Sequence, residues 1–296
     1  RRSSDLMGRE SYSVMEYRGT FWGNGHTITY KIWDLDEENQ GLFSTIHKNG
    51  KVYDVNVVCN ISTKRDYVGG IAGENHGLIQ NCMVMANIIE EGNDYVGGIV
   101  GENYSDGTVT GCRVEGRIEG IGSATTIGGI AGLNKGANSA VYGNITNCWV
   151  SADIISGSDS EDVGGIVGSN EGHVQYCCMT GNLSYYQDNE RVGGLIGDNS
   201  IDYHNNGYAT GGGGQSFQSY VAHCTFYGML NDSHNSGQEK NYIGDGWYES
   251  CYDTFNQSEY DDAKNQGYDL YAYAIKYPYT VTVNIVGLGE VDCDGI

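Results

Sequence analysis

The chain has 296 residues, 46 of them Gly and only 1 Pro, with 16 Lys and Arg against 38 Asp and Glu, a formal charge of −22. This composition excludes a collagen-like or Pro-rich tract, and so acidic a surface repels phosphate backbones and anionic lipid, which argues against nucleic acid as a partner. No apolar run approaches the ~20 residues of a membrane helix, and the first residues do not read as a signal peptide.

In chain order, residues 1–18 read as a lead-in and cap, and YRGTFWGNGHTITYKI (17–32) as the first, atypical turns of a β structure. QGLFSTIHKNGKV (40–52) leads into a repeat. Its clearest marks are the pairs Gly69-Gly70, Gly97-Gly98, Gly128-Gly129, Gly164-Gly165 and Gly193-Gly194, at intervals of 28, 31, 36 and 29 residues. Each pair follows a β-branched residue and stands six residues before an Asn: Asn75, Asn103, Asn134, Asn170 and Asn199. A recurring period of this length with variable loops is the mark of a solenoid.

The second part of each unit alternates as a strand does. Every other residue reads Cys82, Val84, Ala86, Ile88, then Cys112, Val114, Gly116, Ile118, then Cys148, Val150, Ala152, Ile154. Cys177, Met179, Gly181, Leu183 and Cys224, Phe226, Gly228, Leu230 follow, and Val55, Val57, Cys59, Ile61 precede. Columns of a small thiol, an apolar residue, a tiny residue and an aliphatic one are those expected of stacked inward positions about 4.8 Å apart. Gly-Gly then supplies a corner where a side chain would collide with the neighbouring rung, the next two apolar residues fill the core, and the Asn column ladders its amides along the axis. The expected fold is all-β: a right-handed parallel β-helix, or β-solenoid, of six to seven degenerate rungs over residues 19–257. At its end Cys251 is expected to keep the Cys column, with Asp253 in the apolar one. Residues 258–277, rich in Tyr, read as a C-terminal cap. Residues 278–296 alternate like the start of a further β module, and the ending GLGEVDCDGI reads as the interior of a longer chain.

GGIAGENHGLIQNC (69–82), GGIVGSNEGHVQYC (164–177) and FWGNGHTIT (21–29) resemble the GLUG-motif repeats of bacterial surface proteins. Those include β-helical segments attached to immunoglobulin A-cleaving metalloproteases and large adhesins. The resemblance spans roughly residues 19–257 and implies an extracellular or cell-surface bacterial protein, usually of several domains, engaged in adhesion or glycan contact. It is specific for architecture and nearly silent on activity. No H-E-x-x-H occurs, so the metalloprotease chemistry of the proteins it resembles is not in this segment.

Candidate chemistry lies in four places. The nine cysteines include no zinc-type C-x-x-C pair. Disulfides would suit a secreted chain, but an inward column of one residue type favours packed free thiols, with a reducing habitat as the companion inference. Asp66, Asp94 and Asp162 each stand shortly before a Gly-Gly pair; stacked, they would offer oxygens to calcium, against the alternative of a solvated acidic edge. The fifth unit takes 31 residues from Gly-Gly to Cys where the others take 13 to 20. Long excursions from a regular scaffold often carry function. Within this one, Tyr203, His204, Tyr208, Phe217 and Tyr220 suit the apolar faces and hydroxyl edges of a sugar, the alternative being a plain cap-covering loop. Last, Glu290, Asp292 and Asp294 before Gly295 follow a calcium-loop rhythm, with an ordinary β repeat the favoured alternative.

The favoured function is a non-catalytic surface module, serving adhesion or carbohydrate contact. Its expected partners are a glycan or other surface ligand and further domains of the same polypeptide, with no nucleic acid and no membrane insertion. Calcium is the one cofactor in view. One alternative is a glycan-active enzyme of the β-helix type, a polysaccharide lyase or glycoside hydrolase using Asp202, His204 and Tyr227. Another is a spacer that positions neighbouring domains. The row Arg113, Glu115, Arg117, Glu119 reads as a solvated, salt-bridged surface rather than a catalytic pair.

Overall fold

A computed structural model describes residues 16–33, 38–92, 94–122, 125–138, 141–186, 189, 191–199, 219–222, 224–226, 230–232, 243–246 and 251–252. Residues Arg1–Thr254 form one compact unit and Phe255–Ile296 a second, whose residues fall outside the described set. The expected C-terminal cap (258–277), the further β module (278–296) and the Glu290–Asp294 rhythm therefore lie outside the described residues.

Every described strand of the first unit pairs in parallel, apart from one small hairpin. The strand stacks form a β-solenoid of about six turns. One turn is representative. Tyr95–Gly97 is followed by Val100–Asn103, then Thr108–Thr110, then Arg113–Gly120. Stacking of equivalent strands makes four sheets, here called the Gly-Gly, Asn, aliphatic and Cys sheets in that order, with 5, 7 and 8 strands in the first three. The repeat is in register throughout the regular turns: Gly97 pairs with Gly69 and Gly128, Asn103 with Asn75 and Asn134, Val109 with Ile79 and Ile145, and Val114 with Val84 and Val150.

Inward positions are the apolar columns read from the alternation. Cys82, Val84, Ala86 and Ile88 are all buried, as are Cys148, Val150, Ala152 and Ile154. The aliphatic sheet adds Val52, Ile79, Val109, Ile145, Val174 and Val221, and the residue after each Gly-Gly pair adds Ile71, Ile99, Ile130, Ile166 and Leu195. Each fully buried aliphatic side chain contributes about 1.5–3 kcal/mol relative to exposure, and the contribution recurs in every rung. Among the described residues, Cys59, Cys82, Cys112, Cys148, Cys177, Cys178 and Cys224 are buried thiols outside any disulfide.

Gly-Gly has a definite steric reason. A Cβ on Gly69 would stand 2.2 Å from the Ala72 carbonyl oxygen, and one on Gly70 would stand 2.6 Å from both the Gly98 carbonyl oxygen and Val84 Cγ1. The third Gly of the motif belongs to the same close approach, since a Cβ on Gly101 would lie 2.6 Å from the Val68 nitrogen of the preceding rung. Backbone meets backbone where the Gly-Gly strand passes the Asn strand, and no side chain fits between them.

Two column assignments change. Cys251 pairs with Val221, so it continues the aliphatic column and not the Cys column. Gly116 is exposed and holds φ +99°, a departure from the inward run at that point; a Cβ there would meet the Ala86 carbonyl oxygen at 2.1 Å.

Candidate functional site

The Asn column is a continuous side-chain ladder. Asn75 Nδ2 donates to Asn103 Oδ1, Asn103 to Asn134, Asn134 to Asn170 and Asn170 to Asn199, each at 2.8 Å. All five residues are fully buried, so the corner they form is pinned from inside.

The residues after Ile46, Asn75, Asn103, Asn134 and Asn170 form a half-buried column of His47, His76, Tyr104, Lys135 and Glu171. Its backbone N–H groups donate one rung down, His76 to Ile46, Tyr104 to Asn75, Lys135 to Asn103 and Glu171 to Asn134, at 2.8–2.9 Å. His76 stacks on Tyr104 with ring centroids 3.8 Å apart, and its Nδ1 is 2.9 Å from Asp106 Oδ1. Lys135 Nζ lies 4.8 Å above the Tyr104 ring and donates to Glu102 Oε1 at 2.8 Å. Glu102 is 1% exposed. Burial lifts its carboxyl above the usual range against the pull of Lys135. Burial opposes the Lys135 charge, yet Glu102 holds the ammonium above its ordinary pKa. The Tyr104 phenol is pushed up to about 12 by burial and then by Glu102 and Glu74. Beyond Lys135, the hairpin of Gly136–Asn138 and Val141–Tyr142 leaves this corner, and Tyr142 stacks on His173 at 4.3 Å.

This corner is also where the chain departs from its shortest route. Strands resume quickly after Asn75, at Leu78, and after Asn170, at His173. After Asn134 the next strand of the stack begins only at Asn144, and after Asn199 only at Tyr220. Ser219 Oγ donates to the Asn199 carbonyl oxygen at 3.0 Å, closing the base of the long insertion. Of the residues singled out from sequence, Asp202, Tyr203, His204, Tyr208, Phe217 and Tyr227 lie outside the described residues. Tyr220 opens the strand Tyr220–Ala222 and pairs with His173. The corner's own residues were missed in the sequence because they come singly, one per rung, and vary in type from His to Tyr, Lys and Glu.

The three aspartates do not form one column. Val68 pairs with Val96, which places Asp66 and Asp94 at equivalent positions. Asp162 pairs with Arg191 and, one residue ahead of Val163, is equivalent to Tyr95 and Thr126 instead. Asp162 is buried and bonded to the Arg191 guanidinium; burial pushes its carboxyl up to about 7 in spite of that partner. Near Asp66 and Asp94 lies Glu90, fully buried, which accepts from Gly92 N and from Thr125 Oγ1. Its carboxyl is pushed up to about 8, by burial first and then by the two aspartates. Among the described residues no group of three or more His, Cys, Asp or Glu is arranged to hold a metal ion.

On the outer face of the Cys sheet, Met83, Arg113, Trp149, Cys178 and Thr225 share one column. Arg113 lies 3.7 Å over the Trp149 ring, and Trp149 Nε1 donates to Thr180 Oγ1 at 2.8 Å. Arg113 pairs with Glu115, and Arg117 with Glu119 at 2.6 Å. The row is a chain of local ion pairs, as its alternating signs implied.

A family model described as the GLUG motif matches residues 92–119, the turn that carries Gly97-Gly98, Asn103 and Cys112. No curated protein and no solved structure matches the chain.

Proposed function

We propose that this β-solenoid is a rigid surface module of a secreted or cell-surface bacterial protein, which makes contact with carbohydrate while spacing the domains around it. The structural part of that reading is direct: a β-solenoid carrying a GLUG motif is a structural repeat module. The observation that carries the rest is the corner after the Asn ladder. There the buried amide column fixes the backbone, polar aromatic residues stand outward in successive rungs, and the longest insertion opens. A preorganised polar-aromatic edge on a stiff scaffold suits a weakly structured, hydroxyl-rich ligand. Tyr203, His204, Tyr208, Phe217 and Tyr220, in and beside the insertion, are the proposed further contacts.

The test is a glycan-array and polysaccharide screen of the whole chain, run with calcium and with chelator because Asp66 and Asp94 are equivalent positions near Glu90. Both binding and product release are read. Binding without turnover, lost on Tyr203→Ala or Tyr208→Ala, is the expected result. Product release would overturn the non-catalytic reading and turn attention to Asp202, His204 and Tyr227. Silence in both channels would leave the module a spacer alone.

A further inference from the structure

We infer that the corner after the Asn ladder is a binding edge for an extended, neutral polysaccharide lying along the solenoid axis. This rests on the carbohydrate reading above, and it places the contact on residues that lie outside the insertion.

The first support is topological. Both long excursions between the Asn and aliphatic sheets, residues 135–143 and 200–219, leave from this one corner, two turns apart. The edge between and before them is lined in four consecutive turns by His76, Tyr104, Lys135 with Tyr142, and His173. Rungs about 4.8 Å apart set these groups on an axial track of about 14 Å, room for a short oligosaccharide laid along the axis.

Chemistry narrows the ligand. His76 and Tyr104 cover each other's ring faces, Lys135 covers Tyr104 from the next rung, and Tyr142 and His173 cover each other. Faces engaged in this way leave the Tyr104 and Tyr142 hydroxyls as the means of contact, so recognition runs through hydrogen bonds to sugar hydroxyls. Charge along the edge is mixed: Lys135 stands near Glu171, and Asp106 pairs with His76, while Glu102 is buried beneath them. An anionic chain would meet the carboxylates, on a molecule of net charge −22, and a cationic chain would meet Lys135. A neutral one meets neither obstacle.

An axial ligand makes a prediction that a single-sugar pocket does not. Each added sugar reaches a further rung as an intramolecular contact, so affinity climbs with length until the track is full. Titration calorimetry of the full chain with β-linked glucose and mannose oligosaccharides, from disaccharide to hexasaccharide, reads this directly. The expected result for at least one series is about a tenfold gain from disaccharide to tetrasaccharide, then a plateau, since one or two hydrogen bonds at about 1 kcal/mol each supply that factor. Tyr104→Phe and Tyr142→Phe keep the stacked rings and remove only the hydroxyls, and each is expected to weaken the tetrasaccharide by about threefold to tenfold with an unchanged thermal midpoint. Affinity flat with length, or indifferent to both Phe variants, overturns the inference. So does tighter binding of oligogalacturonate. If the array shows glycan binding but these neutral series do not bind, the axial edge is wrong and the carbohydrate reading stands. Silence on the array and in the calorimeter overturns both.

Discussion

Asn103 donates its side-chain amide to Asn134 Oδ1 at 2.8 Å while its own Oδ1 accepts from Asn75 at the same distance, all three being fully buried. Each inner Asn is thus donor to one neighbour and acceptor from the other, and the direction of the ladder is the same through all four of its bonds. Removing one member disturbs two bonds. Asn103→Leu leaves the Asn75 amide and the Asn134 oxygen without their partners, and a buried group stripped of its partner costs about 1–3 kcal/mol. Urea unfolding should show a loss of about 2–5 kcal/mol in the cooperative unit containing the site. Asn103→Asp should be at least as damaging at neutral pH, because a carboxylate would face the Asn134 oxygen. A loss below that of an exposed control such as Asn49→Ala would show that the ladder contributes nothing net.

Gly98 offers a steric test of the motif. A Cβ there would stand 2.4 Å from the Gly129 carbonyl oxygen and 2.5 Å from Val114 Cγ1. Backbone cannot yield as a side-chain tip does, so Gly98→Ala is expected to cost about 3 kcal/mol or more, at the upper end of overpacking changes. Gly25 has no atom within 4 Å of its would-be Cβ, though its φ is +72°. Gly25→Ala should cost only about 1 kcal/mol of backbone strain. Thermal midpoints of the two variants, measured together, separate collision from conformation.

Glu90 sets a pH dependence. Its carboxyl is raised to about 8, so the folded chain holds this proton more tightly than the unfolded chain, whose value is the ordinary 4.5. The sign follows from linkage: stability from this group is complete below about pH 4.5, declines as pH rises toward 8, and then levels off. Asp162, raised to about 7, adds a decline in the same direction between 3.8 and 7. Glu90→Gln should flatten the slope above pH 5 and be more stable than the parent at pH 8, by an amount on the order of a few kcal/mol. Equal slopes in parent and variant would refute the assignment.

Lys135 and Glu102 make an asymmetric pair, the carboxylate 2% and the ammonium 39% exposed in their side chains. Lys135→Met strands a buried charge, for which about 1–3 kcal/mol is expected after allowing for the exposure of the lysine. The penalty should be smaller at pH 5 than at pH 8, since burial, which raises the Glu102 carboxyl, then acts without Lys135 against it, and Glu102→Gln added to Lys135→Met should restore most of the loss. A double-mutant cycle at both pH values measures this coupling directly.

The thiol column predicts a chemical protection pattern. Cys82, Cys112, Cys148, Cys177 and Cys224 are each 1–2% exposed, and burial raises the Cys59 thiol to about 11. A buried thiol is out of reach of alkylating agents while the fold is closed. The seven described thiols should stay unmodified under native conditions and all react in denaturant, counted by mass spectrometry. Rapid native labelling of Cys112 or Cys148 would contradict the packed ladder.

Much of the solenoid was legible in the sequence because its determinants repeat. A parallel in-register stack places each residue on its own equivalent, so the Cys-Val-Ala-Ile alternation, the Gly-Gly pairs and the Asn column could be read as columns without knowing a coordinate, and their roles in core, corner and ladder follow from size and hydrogen-bonding capacity alone. Tertiary structure decided what the loops do. Asp162 stands two places before its Gly pair where Asp66 and Asp94 stand three, and the fold puts it opposite Arg191. Cys251 joins the aliphatic column because register there is set by pairing to Val221 and not by residue type. The corner of His76, Tyr104, Lys135, Tyr142 and His173 exists only when four rungs are stacked, since each turn supplies one or two of its members and they come from positions that do not all recur as one column. Periodicity writes the inside of a solenoid into its sequence, whereas its outer surface is assembled between rungs, where no local pattern is required.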